Sequence, residues 1–351
     1  MVSEDSTPLA IDIGSSAVKA VKLERKDGRL FLSRLSAVSL APGAVGGGFV
    51  HDPEELEQAL TELLPGEGEE ARKVVVALSG GAAMVKTVLL PAEEDFPVVD
   101  ALEAEAMQVL PYPLDEVRLS HLRIGQIEKR TERLDEYLMI AVRREPLDAL
   151  LAFLKRVRYE PVIVDVNFLA MESAFELSGM RTEGEITALV DIGASETLVN
   201  VVCDEHTLIT KAVPFGGEGL TRSLSDRLAI SREEAEAVKK GQATAAEADA
   251  LDEVLRLEAE KLAHELDATF QLMWPITPAP RVERVVLSGG GARLKRLPER
   301  LEEALDAPVE ILDPFRRVEA PEGEFDSGHL ESLAPAAAVG AGLAYRAVES
   351  A

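Results

Sequence analysis

The chain has a single cysteine, Cys203, in 351 residues, so an intrachain disulfide is excluded, and the polar, acidic start from Met1 to Pro8 does not resemble a signal peptide. Positive charge is also scarce. Lys and Arg number 37 against 63 Asp and Glu, a formal net charge of −26. A surface of that sign repels nucleic acid and anionic lipid, which argues against either as a direct partner. No uncharged apolar run reaches the roughly eighteen residues that a membrane-spanning helix needs, which argues against direct membrane insertion. The five histidines, His51, His121, His206, His264 and His329, share no metal-type spacing, and neither a nucleophile elbow nor a Walker-type loop occurs. What remains is a cytosolic globular chain in a reducing compartment, long enough for more than one core.

What is present is a repeat. Asp12-Ile13-Gly14 and Asp191-Ile192-Gly193 each end an apolar run and are followed by small hydroxyl residues and a second strand-like stretch. The copies align without gaps at an offset of 179 residues, which also matches Ser16 to Ser195. Such self-similarity predicts two pseudo-equivalent units facing each other across a cleft.

Hydrophobic patterning predicts an antiparallel start, Leu9 to Ile13, Ala17 to Leu23 and Leu30 to Leu40. Gly46-Gly47-Gly48 reads as a flexible loop. Asp52, Pro53, Glu54 and Glu55 predict a capped helix that stops before Pro65, and Lys73 to Ser79 reads as a strand covered on both faces. From about Ala82 to Tyr159 a strand, a helix, two strands and a helix predict a separate α/β unit, with Gln126 to Asp135 as a solvated turn. Later come the strand Pro161 to Val166, an apolar helix from Phe168 to Leu177, and a capping box at Ser231 and Glu234. A helix from Ala246 to Met273 is stopped by Pro275, and the strand Val282 to Leu287 runs into Ser288-Gly289-Gly290-Gly291. The small-residue helix Pro335 to Val348 closes the chain.

A glycine at a hairpin tip lets backbone N–H groups converge on an anion, and neighbouring hydroxyls add donors. Gly14-Ser15-Ser16 and Gly193 with Ser195 would thus grip the phosphate tail of a nucleotide from opposite sides. Asp12 and Asp191 would hold a magnesium ion, largely through its waters. Lys19 either reaches the same charge or is a solvated strand lysine. Gly289, Gly290 and Gly291 would let the backbone approach a flat ring, with Arg293 nearby. Glu236 and Lys239, three apart on one helix face, either bond ribose hydroxyls and base edges or form a surface ion pair.

Taken in order, these features resemble the actin-like ATPase superfamily and, within it, the PilM family of the type IV pilus inner-membrane platform, over nearly the whole chain. Asp12 to Lys19 (DIGSSAVK) resembles the first phosphate motif and Asp191 to Thr197 (DIGASET) the second. Val213 to Thr221 (VPFGGEGLT) with Ala235 to Lys239 is similar to the nucleotide-contacting segment, and Leu287 to Gly291 (LSGGG) to the adenosine motif. Pro335 to Ala344 resembles the second connecting helix, and Glu103 to Val117 the subdomain that replaces one actin subdomain.

The resemblance implies an α/β actin-like ATPase fold, two duplicated halves around a nucleotide cleft with an FtsA-like insertion in the first half. Its units would be residues 1–82 and 159–184 (1A), 83–158 (the inserted 1C), 185–215 and 276–351 (2A), and 216–275 (the helical 2B). It implies ATP with Mg2+, and adds Ala194, Thr197, Gly216 and Gly217 to the nucleotide contacts. It further implies that a 1A/1C groove holds the cytosolic N-terminal tail of a PilN-like membrane protein, which would keep the chain peripheral to the inner membrane. Pilus motor ATPases and self-association are further partners of that kind. The chain departs from the family pattern at His121 and Leu122, and at Asn167, where relatives commonly place a carboxylate. An amide cannot act as a base, so slow or absent hydrolysis is expected. Two alternatives stand beside this reading. A small-molecule kinase of the superfamily needs a carboxylate base, for which Asp165 is the candidate. An FtsA-like filament protein is expected to end in a basic amphipathic helix, unlike Arg346 to Ala351.

Overall fold

The structure, a computed structural model, describes residues 7–64, 71–129, 132–204, 206–242, 244–273, 281–321 and 327–350. The expected helix stops at Pro65 and Pro275 lie outside these residues. Strand β1 (Leu9–Ile13) pairs antiparallel with β2 (Ala17–Lys26), and β2 with β3 (Arg29–Ser39). The Gly46-Gly47-Gly48 run is not the flexible loop its composition predicts. Gly46 ends β4 (Val45–Gly46) opposite Phe49 of β5 (Phe49–Val50), and Gly47 (φ +59) and Gly48 (φ +85) make the two-residue turn. Two consecutive positive φ angles are what a type I′ hairpin demands, and glycine meets that demand without strain.

Helix α1 (Pro53–Leu63) starts as expected, the Asp52 carboxylate accepting from the amides of Glu54 and Glu55, a cap worth about 1 kcal/mol. Strand β6 (Arg72–Leu78) then lies parallel to β1. The chain next builds the inserted unit: β7 (Ala83–Pro91), α2 (Val98–Val109), β8 (Val117–Lys129), β9 (Glu132–Arg143) and α3 (Arg144–Arg156). Its sheet has the order β7-β9-β8, and Leu102 and Ala106 of α2 pack on Val88, Leu90 and Met139. The strands run through most of the stretch expected as a solvated turn. There Arg123 and Gln126 on β8 donate to Asp135 on β9 at 2.6 and 2.9 Å, so cross-strand bonds keep charged residues in the ladder.

Strand β10 (Tyr159–Val166) completes the first sheet, in the order β10-β6-β1-β2-β3. Helix α4 (Asn167–Ser178) leads to the second, built from β11 (Ile186–Ile192), β12 (Thr197–Cys203) and β13 (His206–Val213). Three helices follow, α5 (Gly217–Leu228), α6 (Arg232–Lys239) and α7 (Ala245–Phe270), packed on one another through Leu220, Leu224, Val238, Leu251 and Leu255. Then come β14 (Arg284–Ser288), α8 (Leu297–Leu305), β15 (Val309–Ile311), α9 (Ser327–Leu333) and α10 (Ala338–Glu349). The second sheet, β13-β12-β11-β14-β15, repeats the first strand for strand. Even the register repeats: Asp12 faces Lys19 across the first hairpin and Asp191 faces Leu198 across the second.

The apolar run in β6 is buried because both faces are covered. Val74, Val76 and Leu78 join Leu56 and Leu60 of α1 and Phe153 of α3, whereas Val75 and Ala77 join residues of α4 and α10. Helices α4 and α10 cross closely because their contact is made of small residues. A Cβ on Gly342 would overlap the Ala170 carbonyl, and one on Gly340 would come 2.8 Å from Val21 and 3.6 Å from Asp12. The start of α10 is thereby brought beside the first repeat.

Candidate functional site

The two repeats form the same turn. The Gly14 amide donates to the Ala17 carbonyl at 3.1 Å and the Gly193 amide to the Glu196 carbonyl at 3.0 Å. The glycine amides are therefore engaged inside their own turns. The amides one step further on, at Ser15, Ser16, Ala194 and Ser195, have no hydrogen-bond partner among the described residues. The tips meet where the Ser15 and Ser195 hydroxyls lie 2.9 Å apart. The topology thus places four unengaged N–H groups and two hydroxyls on adjoining turns from the two halves.

Three charges lie behind these tips. Lys19 is not a solvated strand lysine: its Nζ is 2.9 Å from Asp12 Oδ2, with side chains 16% and 8% exposed. Burial pulls its ammonium down, but the charge and hydrogen bond of Asp12, with Asp191 behind, hold its pKa above the usual lysine value. Asp191 has no such cation beside it, because the register puts Leu198 where the first hairpin has Lys19. Its Oδ2 accepts from Ser288 Oγ at 2.9 Å. Burial lifts its pKa to about 6; Ser288 and Lys19 oppose the shift, and the nearby charges of Asp12 and Glu196 add to it.

The second hairpin gathers most of the remaining expected residues. Gly216 caps α5, and a Cβ there would overlap the Ala194 carbonyl, while Gly217 donates its amide to the Gly193 carbonyl at 3.0 Å. Lys239 reaches back from α6 to the Gly217 carbonyl (3.1 Å), Thr221 Oγ1 (2.8 Å) and Glu236 Oε2 (2.6 Å). With its side chain 13% exposed, Lys239 is no surface ion-pair partner but the centre of a part-buried network. Burial works against the Glu236 carboxylate, yet its bonds to Lys239 and Thr221 leave its pKa below the ordinary value. Gly289 (φ +82) and Gly291 lie on Ile192: the Gly291 amide donates to the Ile192 carbonyl at 2.9 Å, and a Cβ on Gly289 would come 2.5 Å from that oxygen. Gly290 is exposed, with nothing within 4 Å of where its Cβ would stand.

Two expected residues sit elsewhere. Thr197 is fully buried and donates its hydroxyl to the Phe215 carbonyl at 2.8 Å, so it fastens the hairpin rather than facing the tips. The exposed Arg293 points to the Glu331 carbonyl at 2.6 Å. Asp165, the candidate kinase base, is buried against Arg346 Nε at 2.9 Å and accepts the Val166 amide at 2.8 Å. Burial raises its pKa; Oδ1 is held by the Val166 amide, while the buried Oδ2 makes no hydrogen bond among the described residues and faces the Arg346 charge. One contact escaped the sequence reading altogether. Ser79 donates its hydroxyl to Glu196, joining the end of β6 to the second hairpin. Leu78-Ser79-Gly80-Gly81 repeats Leu287-Ser288-Gly289-Gly290, each at the end of a strand parallel to the repeat-bearing strand, but Ser288 donates to Asp191, so the repeat marks Ser79 without giving its partner.

The donor set suits a hard cation held mostly through its own water. Asp12 and Asp191 offer carboxylate oxygens, Asp12 is already engaged by Lys19, and no cluster of three metal-ligating side chains occurs among the described residues. The unengaged amides and the open Gly290 fit a nucleotide in the same way, as places a Cβ or a backbone partner does not fill.

Two repeated five-stranded sheets, two helices crossing between them and glycine turns meeting from both halves define the actin-like ATPase fold. Residues 10–348 match the family described as type IV pilus assembly protein PilM, and the chain belongs to it. The solved PilM-PilN type IV pilus biogenesis complex is similar over 98% of this chain and 99% of that one, with 25% identity and a TM-score of 0.83. MreB5 of Spiroplasma citri bound to AMPPNP shares the fold at 12% identity, a TM-score of 0.57 and coverage of 97% and 95%. The cell division protein FtsA of Bacillus subtilis (strain 168) is 28% identical over 253 residues, 66% of this chain. That match spans 57% of the FtsA length. No helix among the described residues is long and apolar enough to cross a membrane.

Proposed function

We propose that this pilus assembly protein is an ATP-binding scaffold whose two hairpin tips hold the phosphates of Mg2+-ATP. The observation that carries the reading is the meeting of Ser15 and Ser195 beside four unengaged backbone amides. In this reading Asp12 and Asp191 hold the hydrated cation, Lys19 sits against the phosphates, and Glu236 and Lys239 line the ribose side. Gly289, Gly290 and Gly291 back the adenine. The fold likeness to an AMPPNP-bound MreB5 supports a nucleotide there. Residues 1–82 with 159–184, 83–158, 185–215 with 276–351, and 216–275 act as the four units. Asn167 opens α4 with an amide where a water-activating carboxylate is wanted, so turnover is slow or absent.

The partner in this reading is the cytosolic N-terminal tail of a PilN-like membrane protein, laid between the first unit and the inserted one. The likeness to a PilM-PilN complex at 25% identity supports it. An extended peptide in a groove between domains is a recurrent mode of recognition. The chain is then held at the cytoplasmic face of the inner membrane by its partner. Calorimetric titration of that tail peptide into the full chain, with and without Mg2+-ATP, tests the reading. Saturable binding supports the scaffold role, a nucleotide-dependent affinity makes it a switch, and no binding in either state overturns the partner assignment.

A further inference from the structure

The inserted unit belongs to the first half by chain connectivity, leaving after β6 and returning at β10, and α3 packs on that half, yet β7 and the turn before it are tied to the second half. At its root, the turn Ser79-Gly80-Gly81-Ala82 is closed by the Ala82 amide donating to the Ser79 carbonyl at 3.0 Å. The Ser79 hydroxyl donates from that turn to Glu196, next to Ser195 at the second hairpin tip. Gly80 and Gly81 bring the turn close. A Cβ on Gly81 would come 3.1 Å from Glu196 Oε2, and one on Gly80 would overlap Leu198.

A second tie lies one strand further on. Strand β7 is an outer strand of the inserted sheet and β13 an outer strand of the second sheet. They are joined not by a ladder but by threonines. The Thr210 hydroxyl accepts the Val85 amide at 3.3 Å and donates to the Val85 carbonyl at 2.9 Å, and Thr87 donates to the Thr207 carbonyl at 2.8 Å. A rotation of one half against the other must therefore either break these bonds or carry the inserted unit with it.

We propose that these two ties transmit the state of the second hairpin to the inserted unit, so that a nucleotide at the tips changes the unit that forms one wall of the partner groove. This rests on the nucleotide reading above. The route is physical: Ser195 and Glu196 are adjacent in the chain, Glu196 holds Ser79, and Ser79 begins the turn that delivers β7. A ligand can shift the inserted unit only by binding unequally to its two positions, and a coupling of roughly 5- to 150-fold is usual between linked sites.

The test is hydrogen exchange on the full chain with and without Mg2+-ATP, comparing wild type with the triple variant Ser79→Ala/Thr87→Val/Thr210→Val, which removes every hydroxyl of the two ties. In wild type, nucleotide should slow exchange in both 187–203 and 83–91. In the triple variant, the response in 187–203 should persist and that in 83–91 should fall to the level of error, whatever its baseline. Ser79→Thr/Thr87→Ser/Thr210→Ser keeps all three hydroxyls and should restore the response. A full response of 83–91 in the triple variant overturns the proposal, as does a wild type in which 187–203 responds and 83–91 does not. A wild type whose 187–203 segment ignores Mg2+-ATP overturns the nucleotide reading, and this proposal with it.

Discussion

Ser15 and Ser195 meet hydroxyl to hydroxyl at 2.9 Å although 180 residues separate them. They are not counterparts in the repeat, which aligns Ser195 with Ser16, so the two tips interlock one residue out of step. Either hydroxyl can turn to a phosphate oxygen once the other moves aside. Hydrogen bonds to charged groups contribute about 1.5–3 kcal/mol. Ser15→Ala and Ser195→Ala are each expected to weaken Mg2+-ATP binding about tenfold or more in a calorimetric titration. Unchanged affinity would place the phosphates elsewhere.

Lys19 offers a test of the buried charges. Removing one partner of a buried pair strands the other, at about 3–5 kcal/mol. Lys19→Met is therefore expected to lower the free energy of denaturant unfolding by a few kcal/mol, and Lys19→Met/Asp12→Asn to recover part of that loss. If the single variant is as stable as wild type, the pair is solvated and the close approach at 2.9 Å carries no weight.

The pH dependence follows from Asp191. Its pKa of about 6 in the fold exceeds the ordinary 3.8 of the unfolded chain. Between those values the folded state holds the additional proton, so this group's contribution to stability falls as pH rises from about 4 to about 6 and stays low above. The unfolding free energy of wild type relative to Asp191→Asn should decline across that window and then level off. A difference flat with pH contradicts the assignment.

Much of the candidate site is legible because the residues proposed for it lie in two short copies of one motif. Asp12, Gly14, Asp191 and Gly193 mark strand ends that any sheet must turn, and the second copy at matching context lifts them above a common turn signal. The Ser231 and Glu234 capping box was readable for a similar reason, since its geometry is local and both bonds form. What sequence did not disclose depends on distant chain segments. Glu196 meets Ser79 across 117 residues, and no spacing rule links them. The resemblance implies a ligand contact for Thr197 because Thr197 closes the second phosphate motif. The strand that begins there is buried on both faces, so no alternation marks which side chains look toward the tips, and Thr197 turns its hydroxyl to Phe215. Lys239 could be read as a surface pair because Glu236 is local, whereas its bonds to Gly217 and Thr221 are tertiary.

Thr197 supplies a contrasting prediction. Its hydroxyl is the partner of the Phe215 carbonyl in the segment between β13 and α5, and loss of such a bond costs about 1–3 kcal/mol. Thr197→Val is expected to lower the melting temperature while leaving Mg2+-ATP affinity within about twofold of wild type. A large loss of affinity without loss of stability would return Thr197 to the ligand contacts.

Binding of a nucleotide through magnesium by the paired repeats is tested by calorimetric titration of ATP into wild type, Asp12→Ala and Asp191→Ala, with magnesium and with a chelator. Wild type should show saturable one-to-one binding that requires magnesium, and both variants should lose it while each stays folded by circular dichroism. Binding by either variant as tight as that of wild type, or no binding by wild type, would contradict the nucleotide reading.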